Sequence, residues 1–486
     1  MSGRFKLSQF NTQQQELITK KLHLEEEPYF KPKTFKKPKY NKKKTLDVFL
    51  VEQVTEEKTK NEDTKFTGDL LNLPFTYVKN TIGFKPNQNS DHTPLKVDFI
   101  GTLRDYQIPV CNQAMDMLND NNTTILNVYP SWGKTVAGVY FSTKLGYRTI
   151  IMLASKIIKV WVAAFNKFAP MAKVWVVDKP KVSKKVKETI VNDWDVAICM
   201  VDRLHYIPKE ERNKIGTLIV DECHMFCTQK RIEKLLQIHP RYIIALSATF
   251  ERLNDCFHRA IEHICGTEKI IKYYEGEFKA FRYGTGIKID IPKQDDNSSD
   301  WHKYRSTISL NQERNEMIVK LTEMLVFKGY KVLILTWLKE DHVYVLLDML
   351  KKSKLEDYKV DGAPAVEYLA GNKKKYRDSK CLVGTVGKIG TGFDEEGMCE
   401  NFGGKRLNVE IIAGSLKSIT LLEQMAGRVW RAKDPIMFHL VDEDGVAKSQ
   451  WSACRQWYTS ERANAILKPI RNITEDNIDA LLSNKK

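Results

Sequence analysis

The sequence predicts an α/β protein built from two tandem lobes, each a parallel sheet covered by helices. Short apolar runs alternate with helix-compatible stretches from Thr124 to Leu246, and again from Lys331 to Val441. Strands that read as near-continuous apolar runs belong to parallel sheets buried on both faces. At 486 residues the chain is too long for one core, and a prior of about 150 residues per domain gives two or three. The first series carries a Gly-Lys-Thr loop and the second has none of its own.

The totals narrow the partners. A net charge of +16, from 77 basic and 61 acidic residues, points to a polyanion, with nucleic acid favoured over an anionic membrane surface. No apolar run approaches the ~18 residues of a spanning helix, and Met1 to Ser8 lacks a signal-peptide core. A soluble intracellular protein without a membrane role is the expectation. The nine cysteines form no Cys-x-x-Cys pair, so neither disulfides nor a zinc framework is expected. Cys223, His224 and Cys227 lie close together but lack a fourth ligand, and they read as packing and motif residues.

Residues 1–62 read as a basic arm without a globular fold. Between Tyr29 and Lys44 there are eight lysines, two prolines and no acid. Mutual repulsion disfavours folding there, while the interleaved Tyr29, Phe30, Phe35 and Tyr40 suit a nucleic-acid arm. A solvated tail and a nuclear localisation signal are the plainer alternatives. Residues 63–100 read as a small β-rich segment, with Leu73–Val78 and Leu95–Ile100 strand-like and a loop marked by Pro86, Asn87, Asn89, Ser90 and Pro94 between them.

Residues 101–269 form the first expected lobe. A helix runs through Met117. Strands are expected at Thr124–Val128, Thr149–Leu153, Val174–Val177, Val196–Met200, Thr217–Val220 and Tyr242–Leu246. The second lobe, 270–445, opens with strand-like Ile270–Tyr274 and Phe281–Ile291. A helix over Asn315–Leu325 follows, then strands at Lys331–Thr336, Cys381–Val383, Val409–Ala413 and Met437–Val441. Residues 446–486 read as a helical tail docked by Trp451, Trp457, Tyr458 and Leu467.

Chemistry is expected at the strand C-termini. Ser131, Trp132, Gly133, Lys134 and Thr135 follow the strand ending at Val128 and precede a helix. Strand, Gly-Lys-Thr loop and helix make a phosphate cradle, with Lys134 on the β/γ-phosphates of ATP and the Thr135 hydroxyl on Mg²⁺. The match is incomplete, because Val128 stands where the full pattern has its first glycine. Asp221 and Glu222 end a buried strand. Asp221 is placed to hold Mg²⁺ and Glu222 to deprotonate the attacking water, with a helix N-cap as the plainer alternative. Ser247-Ala-Thr249 ends the next strand. Gly384 to Asp394 is glycine-dense at a strand end, where backbone can approach a phosphate or another backbone. Leu421 to Arg431 reads as one helix presenting Arg428 and Arg431 from one face. Facing a nucleotide, two such cations would stabilise charge on the transferred phosphoryl group.

In order, Leu103-Arg-Asp-Tyr-Gln107, the Gly-Lys-Thr loop, Asp221-Glu-Cys-His224, Ser247-Ala-Thr249, Gly384 to Asp394 and Gln424 to Arg431 resemble the motif set of superfamily 2 helicases. Within that superfamily the chain resembles the poxvirus transcript-release DNA helicase and its relatives in large DNA viruses. It is also similar to phage recombination helicases with an Arg-x-Tyr-Gln entry.

The resemblance implies two RecA-like P-loop lobes and nucleic-acid-stimulated ATP hydrolysis by a monomeric motor. It implies a DNA substrate in transcription or recombination, contact with transcription machinery, and a host-cytoplasm or virion setting. It implies that Gln107 reads the adenine and that Ser247 and Thr249 couple the nucleotide to lobe movement. Gly392 and Asp394 would work at the junction of nucleotide and nucleic acid. Gln424 stands at a position the family fills with His or Gln, and Arg428 and Arg431 would act as arginine fingers.

Two departures stand out. Ser131 and Trp132 make the loop bulkier than usual, which is expected to slow turnover and leaves a catalytically weak binding scaffold as one alternative. Ala154-Ser-Lys156 lacks the proline common in relatives at that point. An RNA helicase is the other alternative, because such motors grip mainly backbone.

Overall fold

The computed structural model describes residues 3–27, 44–55, 67–83, 91–154, 157–178, 193–252, 255–290, 300–356, 358, 364–390, 393–414 and 416–483. The chain divides into two compact units, 1–128 with 132–272, and 129–131 with 273–486. The division falls at 272/273 rather than the expected 269/270.

The first unit starts with elements the sequence reading did not anticipate. Strand β1 (Gly3–Lys6) is followed by a helix over Thr12–Leu22, started by the Asn11 side chain accepting from the Gln14 N–H at 2.8 Å. Strands β2 (His23–Glu25), β3 (Thr45–Asp47), β4 (Leu50–Thr55) and β5 (Thr67–Leu73) follow. They pair antiparallel as β1-β5-β4 and β2-β3. The expectation of an unfolded 1–62 is therefore corrected for 3–27 and 44–55. The reason is sparse but well-placed apolar residues. Leu22, Leu24, Leu46 and Val48 are buried in the same core as Ile150, Leu218 and Ile243. Most of the lysine run lies outside the described residues, and its flanks, β2 and β3, pair with each other.

Segment 63–100 also differs. Leu73 ends β5, but Phe75–Tyr77 and Val78–Ile82 are helical turns started at Pro74 and stopped by Gly83 at φ +74°. Aromatic alternation over so short a run fits either state, and the burial of Phe75, Tyr77 and Val78 decides it. Leu95–Ile100 is no strand. It is pinned at its ends, Leu95 N–H to the Gly146 carbonyl (2.8 Å) and Ile100 N–H to the Phe168 carbonyl (2.7 Å). Of the expected intervening loop, Pro86, Asn87, Asn89 and Ser90 lie outside the described residues.

The main sheet of this unit contains β6 (Thr123–Val128), β7 (Thr149–Leu153), β8 (Val174–Val177), β9 (Val196–Met200), β10 (Thr217–Asp221), β11 (Tyr242–Ser247) and β12 (Ile270–Lys272). All neighbours are parallel, in the order β12-β6-β11-β10-β7-β9-β8. Every residue of β6, β7 and β10 is buried, which is why those strands carry no alternating pattern.

The second unit contains β13 (Lys279–Gly284), β14 (Val332–Thr336), β15 (Val366–Leu369), β16 (Tyr376–Arg377), β17 (Cys381–Thr385), β18 (Cys399–Glu400), β19 (Val409–Ile412), β20 (Ile436–Val441) and β21 (Ile466–Ile470). Seven of these form a second parallel sheet, ordered β15-β17-β14-β19-β20-β13-β21. The tail is not wholly helical. Ile466–Ile470 joins the sheet edge as β21, and Trp451, Trp457 and Tyr458 of helix Gly445–Tyr458 are buried in this unit's core. Among the described residues, no helix is long and apolar enough to cross a membrane.

Candidate nucleotide site

In the first unit, β6 leads into the loop and helix Lys134–Leu145. Gly133 caps that helix at φ +105°, and a Cβ there would lie 2.5 Å from Gln107 Nε2. Only glycine fits this backbone and this spacing. Gln107 braces the loop from below. Its Nε2 donates to the Trp132 carbonyl at 3.1 Å, and its Oε1 accepts from the Arg104 N–H at 3.0 Å. Ser131 also takes a left-handed φ of +73°, a conformation non-glycine residues keep mainly where function holds them. The Trp132 ring is buried, beside Tyr106 at 6.3 Å. Its bulk is thus turned inward. Thr135 lies in the first helical turn, whose leading N–H groups have no side-chain cap, an arrangement that suits an anion.

The acidic pair ends β10. Lys134 Nζ is 4.0 Å from Glu222 Oε1. Asp221 accepts from the Trp161 indole N–H at 2.8 Å and from the Glu222 N–H at 2.9 Å. Burial, then the neighbouring Glu222 charge, raises the Asp221 carboxyl to about 6, against the pull of Lys134 and the Trp161 hydrogen bond. Glu222 has φ +50° and makes no side-chain cap bond to the turn that follows, so its carboxylate does not serve as a helix cap. His224 Nδ1 lies 3.5 Å from Glu222 Oε2 and 2.8 Å from Ser247 Oγ, which also accepts from the Thr249 N–H at 3.0 Å. Asp221, Glu222, His224, Ser247 and Thr249 are therefore one connected group. Cys223 and Cys227 are core residues, and burial pushes the Cys227 thiol up to about 12.

A divalent cation and a nucleotide triphosphate fit these residues. Lys134 and the open helix N-terminus suit phosphate, while Asp221 and the Thr135 hydroxyl suit Mg²⁺. Thr249 Oγ1 is buried without a hydrogen-bond partner among the described residues, and Glu222 Oε2 has there the 3.5 Å ion-pair contact with His224 but no hydrogen bond, as expected of groups that can turn to a ligand or water.

The second unit holds the remaining candidates. Asp394 caps the short helix Glu395–Met398 by accepting from the Gly397 N–H at 3.2 Å. Arg428 donates to the Phe393 carbonyl (2.9 Å) and the Gly390 carbonyl (3.0 Å), and Arg431 lies 3.8 Å from Asp394. Both arginines are thus engaged with the glycine-dense loop. Gly392 lies outside the described residues. Gln424 is half-buried on helix Ile419–Ala426. The expected single helix through Arg431 is corrected. It ends at Ala426, and turns with three-residue bonds, such as Arg428 N–H to the Met425 carbonyl (2.8 Å), carry the chain on. The two arginines therefore do not share a regular helix face.

Residues 100–252, which carry every first-unit candidate, match the family described as type III restriction enzyme, res subunit. The chain carries a ResIII-type helicase domain. It is similar to "Putative helicase 161L" of Invertebrate iridescent virus 6, 26% identical over 404 residues, which are 80% of this chain and 88% of that one. "Probable helicase D10" of Escherichia phage T5 is 23% identical, covering 71% of this chain and 72% of its own. Among solved structures, the Mycobacterium smegmatis helicase Lhr bound to ssDNA and AMP-PNP aligns with TM-score 0.47 and 16% identity. That alignment covers 73% of this chain and 48% of that one.

Two ResIII-domain residues escaped the sequence reading. Trp161 sits in an apolar helix, Ile158–Phe168, and nothing local distinguishes it from core. Its ring fills the space over Gly138, where a Cβ would meet it at 2.4 Å, while its N–H holds Asp221. His224 was visible as the end of the Asp221-Glu-Cys-His224 motif and in a Cys-His-Cys cluster but was given no role of its own, and its link to Ser247 joins residues 23 apart in sequence.

Proposed function

We propose that this chain is an ATP-dependent helicase or translocase acting on DNA, working as a monomer in viral transcription or recombination. The observation that carries the reading is the approach of Lys134 to Glu222 beside the buried Asp221. Lys134 and the N–H groups opening helix Lys134–Leu145 bind the phosphates. Mg²⁺, held by Thr135 and Asp221, would draw charge from the phosphate oxygens. Glu222 orients the attacking water and takes its proton. Gln107 sets the loop and faces the base, with Ser131, Trp132 and Gly133 shaping the cradle.

His224 relays a change at Glu222 to Ser247 and Thr249, so hydrolysis is felt in the next strand. In the second unit Arg428 and Arg431 are the cations suited to a phosphoryl group, while Gln424, Gly392 and Asp394, which bring no positive charge, are assigned to contacts with nucleotide or nucleic acid. The basic surplus of +16 favours a polyanionic track.

The test is phosphate release from ATP with no nucleic acid, with single- and double-stranded DNA, and with matched RNA. DNA should stimulate turnover most, and Glu222→Gln should remove it while ATP still binds. Equal stimulation by RNA would replace the DNA assignment. Undiminished turnover in the variant would reject the role given to Glu222.

A further inference from the structure

Parallel sheets bind ligands where adjacent strands send their connections in opposite directions, outside the strand C-termini. In the second unit β14 lies beside β19. The chain leaves β14 for β15 at one end of the sheet, and leaves β19 for β20 toward the other. Trp337, following β14, and Ala413 and Gly414, following β19, line a cavity of about 30 Å³ there, room for one water.

Its lining is polar and unsatisfied below and aromatic above. His342 Nε2, on a side chain 1% exposed, and Gln450 Oε1 are both buried without a hydrogen-bond partner among the described residues. Helix Trp301–Leu310 covers the cavity. From it Arg305 lies over the Trp337 ring at 4.7 Å, and Trp301 stands 51% exposed. Trp337 is held in place from the other side, since a Cβ on Gly414 would lie 2.3 Å from its Cδ1.

We propose that this edge is a base-stacking site for a single nucleic-acid strand, with Trp301 and Trp337 as platforms and Arg305 as the displaceable cation between them. The inference rests on the nucleic-acid reading above and adds which residues hold bases. An indole fixed by backbone and covered by one exposed guanidinium already presents a planar face, and stacking on such faces accepts any base. Charge favours the same occupant. Lys303 and Arg305 are exposed on the covering helix. The nearby carboxylates are engaged, Glu340 with Lys339 at 2.7 Å and Asp341 with the Ser306 hydroxyl at 2.6 Å. The cavity beneath has room for one water, which would bridge His342 Nε2 and Gln450 Oε1, so a base stacks on the indoles as Arg305 moves aside and does not enter the cavity.

The experiment measures binding of the full chain to a labelled oligothymidylate and to a strand of equal length carrying abasic sites. Trp301→Ala and Trp337→Ala should each weaken oligothymidylate binding about five- to tenfold and change abasic-strand binding less than twofold. Trp337→Phe, which keeps a platform, should bind like the parent. ATP hydrolysis without nucleic acid should be unchanged in all three. Parent-like binding by both alanine variants, or an equal loss on both strands, overturns the stacking site while leaving the helicase reading intact. Failure of the parent to bind either strand overturns both.

Discussion

In the first unit the charged and polar groups of the candidate site gather at strand ends. Asp221 closes β10, Ser247 closes β11, and Lys134 opens the helix after β6. In the second unit several titratable groups lie inside the layers. Glu410 is fully buried within β19, His439 is buried in β20, and Arg314 is buried against Asp442 at 3.0 Å. The difference teaches how one architecture serves two ends. A charge at a strand terminus keeps a route to ligand and to helix N–H groups. A charge within the sheet must be neutralised or paired. Burial raises the Glu410 carboxyl to about 8, against the pull of Arg428, and lowers the His439 imidazole to about 3. Near neutral pH both therefore stand uncharged.

The sharpest test is Lys134→Ala. It should lower ATP turnover by about 10²–10³-fold with little change in thermal unfolding, whereas Glu410→Gln should leave turnover without nucleic acid near the parent value. Comparable losses in both would erase the contrast.

A smaller effect is expected at Trp161→Phe. The ring still fills the space over Gly138, but Asp221 loses its indole donor. Partners behind a metal ligand are typically worth about 10- to 100-fold in affinity, so the Mg²⁺ needed for half-maximal turnover should rise about tenfold. An unchanged Mg²⁺ titration would show that the indole holds only the fold.

The smallest effect is a slope. Because the folded-state Glu410 carboxyl is raised to about 8 from an ordinary 4.5, the native chain holds a proton that the unfolded chain has lost between those values. Its contribution is complete below the ordinary carboxylate range and disappears as pH rises through about 8. The parent unfolding free energy should therefore fall more steeply from pH 5 to 8 than that of Glu410→Gln, by at most about 1.4 kcal/mol per pH unit. Parallel curves would place Glu410 in contact with water.

Most strands of the first sheet and the inner strands β14, β17, β19 and β20 of the second were legible nearly to the residue, because a strand covered on both faces has few polar positions to blur it. Thr149–Leu153 and Val196–Met200 show this. The edge strands β15 and β21 were not read, and the run expected over Phe281–Ile291 is a strand only to Gly284. The N-terminal sheet was not legible, because lysine density masked the few apolar side chains that anchor it. The stretch after Gln424 misled for another reason. Three-residue bonds, mixed with one of helical span from the Trp430 N–H to the Ala426 carbonyl (3.1 Å), keep the local look of a helix after the regular helix has ended at Ala426. At the candidate site, neighbours in sequence such as Asp221 and Glu222 announced themselves. Trp161 and the His224–Ser247 contact arise only when distant strands are brought together.

The N-terminal layer has a practical corollary. Leu22, Leu46, Leu71 and Leu73 form part of the hydrophobic interior of the first unit. A fragment trimmed to begin near residue 100, where the family match starts, would strip that wall and leave greasy surface facing solvent. Such a piece should precipitate on expression, so a truncation series should keep the N-terminal strands and vary the far end instead.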